Sequence, residues 1–293
     1  MTRRALLVIN PGAGRHPHVD AMGPLLPVLD AAGIAVEIAQ SAPDASDLAA
    51  IARRAVTERF DAVIAAGGDH TVQLIAREIL DTDVVLGILP FGSFMNIAKG
   101  LRIPLDPAEA AEVIARGHVR RADAGEVNGQ IFFESAGIGL DAEVFGAARA
   151  AERGRWRGAW RRAVRWATQG THTIRIEGAT RRFQYRALQA IVLNSPFYTW
   201  SFPMVGGDMH DGLLEIAIFP RMDRLALLRS LVSLATSGRH ETAPIVLREA
   251  TARISADEPL PIQADTHLAG TLPATFRCRA GAFAVYVPDT LGR

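Results

Sequence analysis

Short apolar runs alternate with helix-like segments along the first 118 residues of the chain. In the intervening segments, apolar residues recur at the three- and four-residue spacing of an amphipathic helix. This alternation predicts a parallel β-sheet with helices on both faces. The predicted strands are 5–9, 34–39, 62–66 and 84–89, and the predicted helices are 19–32, 46–59 (capped by Asp44 or Ser46), 71–80 and 107–115.

The pattern changes near residue 120. From there onward, strand-like runs follow one another without regular crossover helices, and two helical stretches, 155–169 and 223–236, interrupt them. This part of the chain is therefore predicted to be rich in β-structure. The predicted strands are 119–127, 130–136, 172–177, 183–194, 213–219, 244–255, 260–265 and 274–287.

Three of the early apolar runs end in a turn that carries glycine. These turns are 10–14, 67–71 and 92–96. Glycine lets a ligand approach the backbone closely, and a helix that begins at such a turn presents free N–H groups and partial positive charge. In a parallel sheet all three turns would lie at the carboxyl edge, where open sheets bind ligands. Together the turns predict a site for a polyphosphate.

Composition limits the class of protein. Of the 293 residues, 49% are apolar and 22% are charged, which favours a globular fold with a sizeable core. The net charge of +1 argues against a broadly basic nucleic-acid binder, so we expect no nucleic-acid partner. Cys278 is the single cysteine, which excludes an intramolecular disulfide. Apolar stretches stay below the ~18 residues of a membrane span, so we expect a soluble, cytoplasmic protein.

Further motifs accompany the three turns. In order, the chain contains Asn-Pro-x-x-Gly at 10–14, Gly-Gly-Asp-x-Thr at 67–71, Gly-Ser-x-x-Asn-x-Ala-Lys at 92–99, Asp-Ala-Gly-Glu at 123–126, Ser-Ala-Gly-Ile-Gly-Leu-Asp-Ala at 135–142, Asp-Gly-Leu-Leu-Glu at 211–215 and Gln-Ala-Asp at 263–265. This set resembles the diacylglycerol kinase catalytic family, which includes bacterial lipid kinases and sphingosine kinases. The resemblance implies an α/β nucleotide-binding domain at 1–120, with a parallel sheet, and an all-β, sandwich-like substrate domain at 121–293. The last residues are expected to pack back on the first domain.

The resemblance also implies an activity, namely that of an ATP-dependent lipid kinase. Such an enzyme uses ATP and Mg²⁺ to phosphorylate a hydroxyl of diacylglycerol or a related lipid; the alternatives are an NAD kinase-like enzyme and a non-catalytic nucleotide- or lipid-binding protein. The implied catalytic residues are Asp265 and His267, and the implied metal-binding residues are Asp69, Asp123, Asp211 and Leu213. The implied nucleotide-binding residues are Asn10, Gly12, Gly14, Ser41, Gly67, Gly68, Asp69, His70, Thr71, Gly92, Ser93 and Asn96.

The chain departs from the family pattern at chemically important positions. The family usually has glycine at the position of His70, asparagine and aspartate at those of Met95 and Asn96, and Gly-Glu where this chain has Thr266 and His267. A histidine at 70 would be strained if that position requires positive φ, or it could contact phosphate. We expect a tolerated substitution.

Asp265 and His267 are the basis of the catalytic prediction. If both lie on one strand, their spacing of two residues places them on the same face. Histidine accepts a proton near neutral pH, so His267 could replace a glutamate as the base, with Asp265 orienting it. The alternative is that His267 is a surface residue without a role.

Three further patterns have two interpretations each. Segment 155–169 is basic and bears tryptophans, so we expect it to contact the anionic inner surface of the membrane or else to pack on the sandwich. Asp211-Gly212 is either part of a metal site or an ordinary hairpin turn. The G-x-G-x-x-A motif at 137–142 fits a dinucleotide fold but lacks an acidic partner about 20 residues further on. The sequence does not indicate an oligomeric state.

Overall fold

The computed structural model describes residues 2–14, 19–139, 170–198, 202–203, 207–220 and 244–289. The expected helices at 155–169 and 223–236 lie outside the described residues, as do residues 140–142 of the glycine motif. Within the described ranges, no helix is both long enough and apolar enough to cross a membrane.

Four parallel strands form the N-terminal sheet, in the order β2 (Ile34–Gln40), β1 (Arg3–Ile9), β3 (Ala62–Gly67) and β4 (Val85–Pro90). All residues of β3 and the last five of β1 are buried, as expected for parallel strands covered by helices. The predicted α/β fold is therefore confirmed. The carboxyl ends of β1, β3 and β4 lie beside one another at one edge of the sheet.

The helices follow the predicted pattern with two exceptions. The helix predicted at 46–59 begins at Leu48 with Asp47 at the N-cap position, so neither Asp44 nor Ser46 caps it. Asp106 caps the sixth helix as expected, because its carboxylate accepts two backbone N–H groups of the first turn. The single helix predicted at 19–32 is two helices, since Gly23 and Pro24 interrupt it. The helices are α1 (Val19–Met22), α2 (Leu26–Ala31), α3 (Leu48–Thr57), α4 (Asp69–Glu78), α5 (Asn96–Gly100) and α6 (Pro107–Arg116).

From residue 119 onward the regular elements of the described residues are β-strands, and their pairs with one another are antiparallel. Their buried faces form a second hydrophobic core, in which Phe132 and Phe276 are fully buried. The predicted sandwich-like C-terminal part is therefore confirmed. The strands are β5 (Val119–Val127), β6 (Gln130–Phe132), β7 (Ser135–Gly139), β8 (His172–Glu177), β9 (Arg182–Leu193), β10 (Phe197–Tyr198), β11 (Phe202–Pro203), β12 (Leu214–Pro220), β13 (Ile245–Glu249), β14 (Thr251–Ala256), β15 (Pro261–Ala264), β16 (His267–Thr271) and β17 (Ala274–Tyr286).

Strand β17 links the two parts of the chain through backbone hydrogen bonds. It pairs antiparallel with β5 and β14. Near its end, Ala284 and Val285 pair in parallel with Val85 and Leu86 of β4. The end of β17 thus extends the N-terminal sheet, and the parallel and antiparallel strands share one hydrogen-bonded network.

Three predicted strands are interrupted or shortened by turns. The segment 130–136 is two strands, β6 and β7, and 244–255 is also two strands, with Ala250 between β13 and β14. Strand β15 ends one residue earlier than predicted. There Asp265 has a φ of 47° and opens a two-residue turn into β16, a strand that the apolar pattern did not reveal.

Candidate active site

The three glycine turns come together at the carboxyl edge of the parallel sheet. Asn10 joins the first turn to the second, because its side-chain amide donates a 2.8 Å hydrogen bond to the Thr71 hydroxyl. Gly14 lies against the third turn, since a Cβ at this position would stand 2.9 Å from Oγ of Ser93. The predicted convergence of these turns is therefore present in the structure.

Glycine is sterically required where the turns cross. A Cβ on Gly92 would stand 2.6 Å from the Cα of Gly68, and a Cβ on Gly12 would stand 2.0 Å from the carbonyl oxygen of Pro43. A Cβ on Gly67 would stand 2.4 Å from the hydroxyl oxygen of the following helix's Thr71. The glycine pattern therefore reflects contact between the turns, in addition to the ligand access inferred from the sequence.

The hydroxyl groups predicted at this edge differ in exposure. Ser41 is buried at the end of β2, and its hydroxyl donates to the carbonyl of Ala42 at 3.1 Å. Thr71 is buried as well, and its hydroxyl accepts the amide of Asn10. Ser93 is exposed, so it is the one of the three that is best placed to reach a ligand.

Asp69 begins α4, and its carboxylate faces the third turn. Its Oδ1 accepts a 3.0 Å hydrogen bond from the N–H of Ile97, and the N–H groups of Asn96 and Met95 also donate to the carboxylate. Burial raises the pKa of Asp69, while these hydrogen bonds and the charge of Lys99 oppose the shift. Asp69 therefore holds the start of α5 against the start of α4.

Two departures from the family pattern differ in their effect on the backbone. His70 is the second residue of α4 and does not have positive φ, so the strain considered for this substitution is absent. Met95 does adopt a left-handed φ of 53°, which asparagine tolerates better than methionine. Its buried sulfur accepts the N–H of Gly92 at 3.2 Å.

Asp265 and His267 do not share a strand face, so that part of the prediction is wrong. Asp265 lies in the turn between β15 and β16, and His267 is the first residue of β16. The fully buried Asp265 carboxylate accepts the N–H groups of Phe133, Glu134 and Ser135 at 2.9–3.2 Å. Burial raises the pKa of Asp265 to about 6, although these hydrogen bonds oppose the shift. The carboxylate thus fixes the segment between β6 and β7.

His267 is exposed and stands beside His70. The centroids of the two imidazole rings are 6.3 Å apart, and the ring planes differ by 28°. Nδ1 of His267 also lies 3.0 Å from the hydroxyl oxygen of Thr266. The two histidines therefore bring the β15–β16 turn next to the second glycine turn.

Glu134 lies among these groups and was not predicted from the sequence. Its carboxylate accepts a hydrogen bond from the side-chain amide of Gln73 and another from that of Asn96, each 2.8 Å long. Burial, followed by the charges of Asp69 and Asp265, raises the pKa of Glu134 well above its usual value. No motif marks this residue, and the only sequence signal was its position just before the Ser-Ala-Gly-Ile-Gly run.

Two of the predicted metal residues are already engaged within the protein. Both oxygens of Asp123 accept backbone N–H groups, from Gly212 and Gly281, at 2.7 Å each. Asp211 forms an ion pair with Arg248. Contacts within the protein thus engage the carboxylates around Gly212, as a backbone N–H also engages that of Asp69.

The other two predicted metal residues, Leu213 and Asp69, lie apart. The N–H of Leu213 donates to Asp211 at 2.9 Å, whereas Asp69 lies at the glycine turns. Within the part of the chain that the structure describes, no group of three or more His, Cys, Asp or Glu side chains is arranged to hold a metal ion. Magnesium needs fewer protein ligands when phosphates supply the others, and Asp69 fits that requirement.

Known proteins resemble this chain over nearly its whole length. Residues 4–127 match the model of the diacylglycerol kinase catalytic domain, and residues 135–287 match the YegS C-terminal NAD kinase beta sandwich-like domain. The diacylglycerol kinase of Staphylococcus carnosus is 26% identical over 296 residues, which cover 98% of this chain and 96% of the relative. That of Staphylococcus saprophyticus is 25% identical over 299 residues, which cover 99% and 97%. A crystal structure of a diacylglycerol kinase from Bacillus anthracis has a TM-score of 0.76 at 20% identity and covers 98% of both chains, which supports the fold.

Replacing Gly92 with alanine should destabilise the protein more than replacing Gly68. The Cβ of an alanine at 92 would lie 2.6 Å from a backbone carbon and 2.7 Å from the Met95 sulfur, whereas at 68 the nearest atom would be 3.3 Å away. We expect Gly92→Ala to lower the free energy of unfolding by about 2 kcal/mol and Gly68→Ala by about 1 kcal/mol. Urea unfolding measures both values, and equal losses would contradict the described crossing of the turns.

Asp265→Asn should destabilise the protein because an amide offers one acceptor oxygen where the carboxylate offers two. Buried N–H groups between β6 and β7 would lose their partner, and we expect a loss of about 2 kcal/mol in urea unfolding. Asp257→Asn is the matched control, since Asp257 also accepts a backbone N–H, that of Thr173, but is exposed. The free energy of unfolding of Asp257→Asn should fall by less than about 0.5 kcal/mol. Similar losses in both variants would show that the buried contacts of Asp265 do not support this segment.

Proposed function

Because the chain belongs to the diacylglycerol kinase family, we propose that it is an ATP-dependent lipid kinase that phosphorylates a hydroxyl of diacylglycerol or a related lipid. The observation that carries this proposal is the contact of three glycine turns at the carboxyl edge of the parallel sheet, with buried carboxylates beside them. Backbone N–H groups at helix starts suit a polyphosphate. Phosphoryl transfer mainly requires positioning of the phosphates and stabilisation of their charge.

The proposed position of ATP follows from these turns. Its phosphates would lie along 10–14, 67–71 and 92–96, with the exposed hydroxyl of Ser93 within reach. His70 faces the same edge from the first turn of α4 and is placed to contribute a hydrogen bond to a phosphate. The buried residues Asn10 and Thr71 support this proposal indirectly, because they hold the first two turns together.

Magnesium is proposed to enter the site with the nucleotide. Mg²⁺ typically binds one or two carboxylates together with phosphate oxygens and water, so a closed protein cage is not required. We propose that Asp69 holds the ion, which when bound neutralises charge on the phosphates. The second position implied by the family resemblance, at Asp123, Asp211 and Leu213, stays a prediction, and its hydrogen bonds to backbone and to Arg248 do not favour it.

The acceptor hydroxyl is proposed to approach from the β15–β16 turn. His267 stands there next to Leu268, whose 75% exposure offers an apolar contact for a lipid chain. In this proposal His267 takes the hydroxyl proton, and Asp265 acts as a positioning residue because its carboxylate is occupied by backbone N–H groups. The basic, tryptophan-bearing segment 155–169 is proposed to bring the protein to the inner membrane surface, where such a lipid resides.

Purified protein incubated with γ-labelled ATP, Mg²⁺ and diacylglycerol in mixed micelles should produce labelled phosphatidic acid. Asp69→Asn should reduce this rate by about 10²-fold or more, since it removes the carboxylate that is proposed to hold Mg²⁺ against the phosphates. A sphingoid base and NAD are tested in parallel as acceptors. Transfer to NAD but to no lipid would favour the NAD kinase-like alternative, and ATP binding without any transfer would favour the non-catalytic one.

The pH profile of kcat/KM tests the role of His267. His267→Ala should lower the rate by about 10²-fold or more at every pH, as expected when a general base is removed. His267→Glu should keep substantial activity and move the acid limb to lower pH, because unperturbed glutamate titrates near ~4.3 and histidine near ~6.5. Full activity of His267→Ala at every pH would exclude His267 as the base.

A further inference from the structure

Glu134 is held in place through both its backbone and its side chain. Its N–H donates to Asp265, and its carbonyl accepts the N–H groups of residues 194–195. The two carboxylate oxygens each accept one amide N–H, one from Gln73 and the other from Asn96. Because each oxygen accepts a single hydrogen bond, each keeps a further lone pair for a ligand. The partly exposed Glu134 thus presents a fixed carboxylate beside the glycine turns.

The ion pairs of the described residues do not include Glu134. Arg77 lies 3.8 Å from the carboxylate of Asp265, and the charge of Lys99 acts on Asp69, so these two cations serve other carboxylates. The largest charge effects on Glu134 come from Asp69 and Asp265, and both charges are negative. A largely desolvated carboxylate in such surroundings is stabilised when a cation binds to it.

The amide oxygens of Gln73 and Asn96 are a second, independent observation that favours a bound cation at this place. These residues are only 2% and 3% exposed. Nevertheless, Oε1 of Gln73 and Oδ1 of Asn96 lack a hydrogen-bond partner among the described residues, although buried polar atoms are normally paired. Both amide groups lie at Glu134, since their NH₂ groups donate to it. Carboxylate and amide oxygens are the ligands that a hard divalent cation prefers.

We infer that Glu134 binds the divalent cation that accompanies the nucleotide phosphates, and that Gln73 and Asn96 position its carboxylate. This inference rests on the proposed function, which brings Mg²⁺ to the glycine turns. Burial and the charges of Asp69 and Asp265 raise the pKa of Glu134, and a bound cation would oppose that shift by favouring the ionised form. The family pattern has an aspartate at the position of Asn96, so Glu134 supplies from the opposite side a charge that position 96 lacks.

Calorimetric titration with ATP, in excess Mg²⁺ and separately in EDTA, tests the inference without measuring catalysis. The wild-type protein should bind ATP about tenfold or more tightly with Mg²⁺ than with EDTA. Glu134→Gln should reduce this difference to about twofold or less because it weakens binding in Mg²⁺, and its affinity in EDTA should not fall below that of the wild type. In EDTA its melting temperature should equal or exceed that of the wild type, because the Gln73 or Asn96 amide can turn its unpaired oxygen toward the new NH₂ group, so that no hydrogen bond is lost.

Two further variants complete the test. Glu112→Gln is the matched control, since Glu112 is an exposed carboxylate on α6, and it should keep the wild-type response to Mg²⁺. The double variant Asn96→Asp, Glu134→Gln swaps the carboxylate and the amide of one hydrogen-bonded pair. It should recover part of the increase in ATP affinity that Mg²⁺ causes. This double variant also replaces Glu134→Gln if the single variant does not fold.

The outcomes separate this inference from the proposed function. A folded Glu134→Gln protein with the wild-type response to Mg²⁺ would overturn the inference while leaving the kinase proposal intact. A double variant without any response to Mg²⁺ would also overturn it. If the wild type binds ATP equally well in Mg²⁺ and in EDTA, the inference is overturned too. If the wild type binds ATP in neither condition, the kinase proposal is overturned as well.

Discussion

Three aspartates join segments that are distant in sequence by accepting backbone N–H groups with their carboxylates. Asp69 accepts from 95–97, Asp123 from Gly212 and Gly281, and Asp265 from 133–135. These N–H groups lie at a helix start, in turns between strands and at the irregularity of β17, where no strand carbonyl pairs with them, so a carboxylate takes the place of a carbonyl. Burial raises the pKa of all three aspartates, which shows that their hydrogen bonds do not fully offset desolvation. The contacts between glycine turns and the position of Glu134 both depend on these links.

Most of the fold could be predicted because its signals are local. The fully buried β3 is a continuous apolar run, and Asp106-Pro107 is a cap and a helix start in adjacent residues. The errors have local causes that apolar periodicity ignores. Pro24 ends a helix within a helix-like pattern, and Asp265 turns the chain with a positive φ where the pattern continues as a strand. At both places the residues that form a turn, and not the apolar periodicity, determine the local structure.

The candidate site was predictable only where a motif marks it. The glycines of the three turns stand next to strand ends in the sequence, so their meeting at one edge follows from the parallel sheet. Glu134 has no such marker, because its position depends on amides from two other elements and on the Asp265 turn. Its identity as a site residue is a property of tertiary packing. Asp265 was identified from the Gln-Ala-Asp motif, but its partners are backbone groups that no sequence motif specifies.

The departures from the family pattern are not scattered over the site, because two of them form one contact and a third contacts Glu134. His70 stands beside His267, where the family has glycine and glutamate, with ring centroids 6.3 Å apart. Asn96, where the family has aspartate, donates to the carboxylate of Glu134. In a site that has lost its function, substitutions are not expected to contact one another. Substitutions that compensate one another are expected to lie in contact, because energetic coupling is strongest between neighbouring residues. Position 96 lacks the carboxylate of the family pattern, but its amide contacts the carboxylate of Glu134, and histidine at 267 is a side chain that can accept a proton, as glutamate can. The contacts among the changed residues therefore favour an adapted site over a degenerate one.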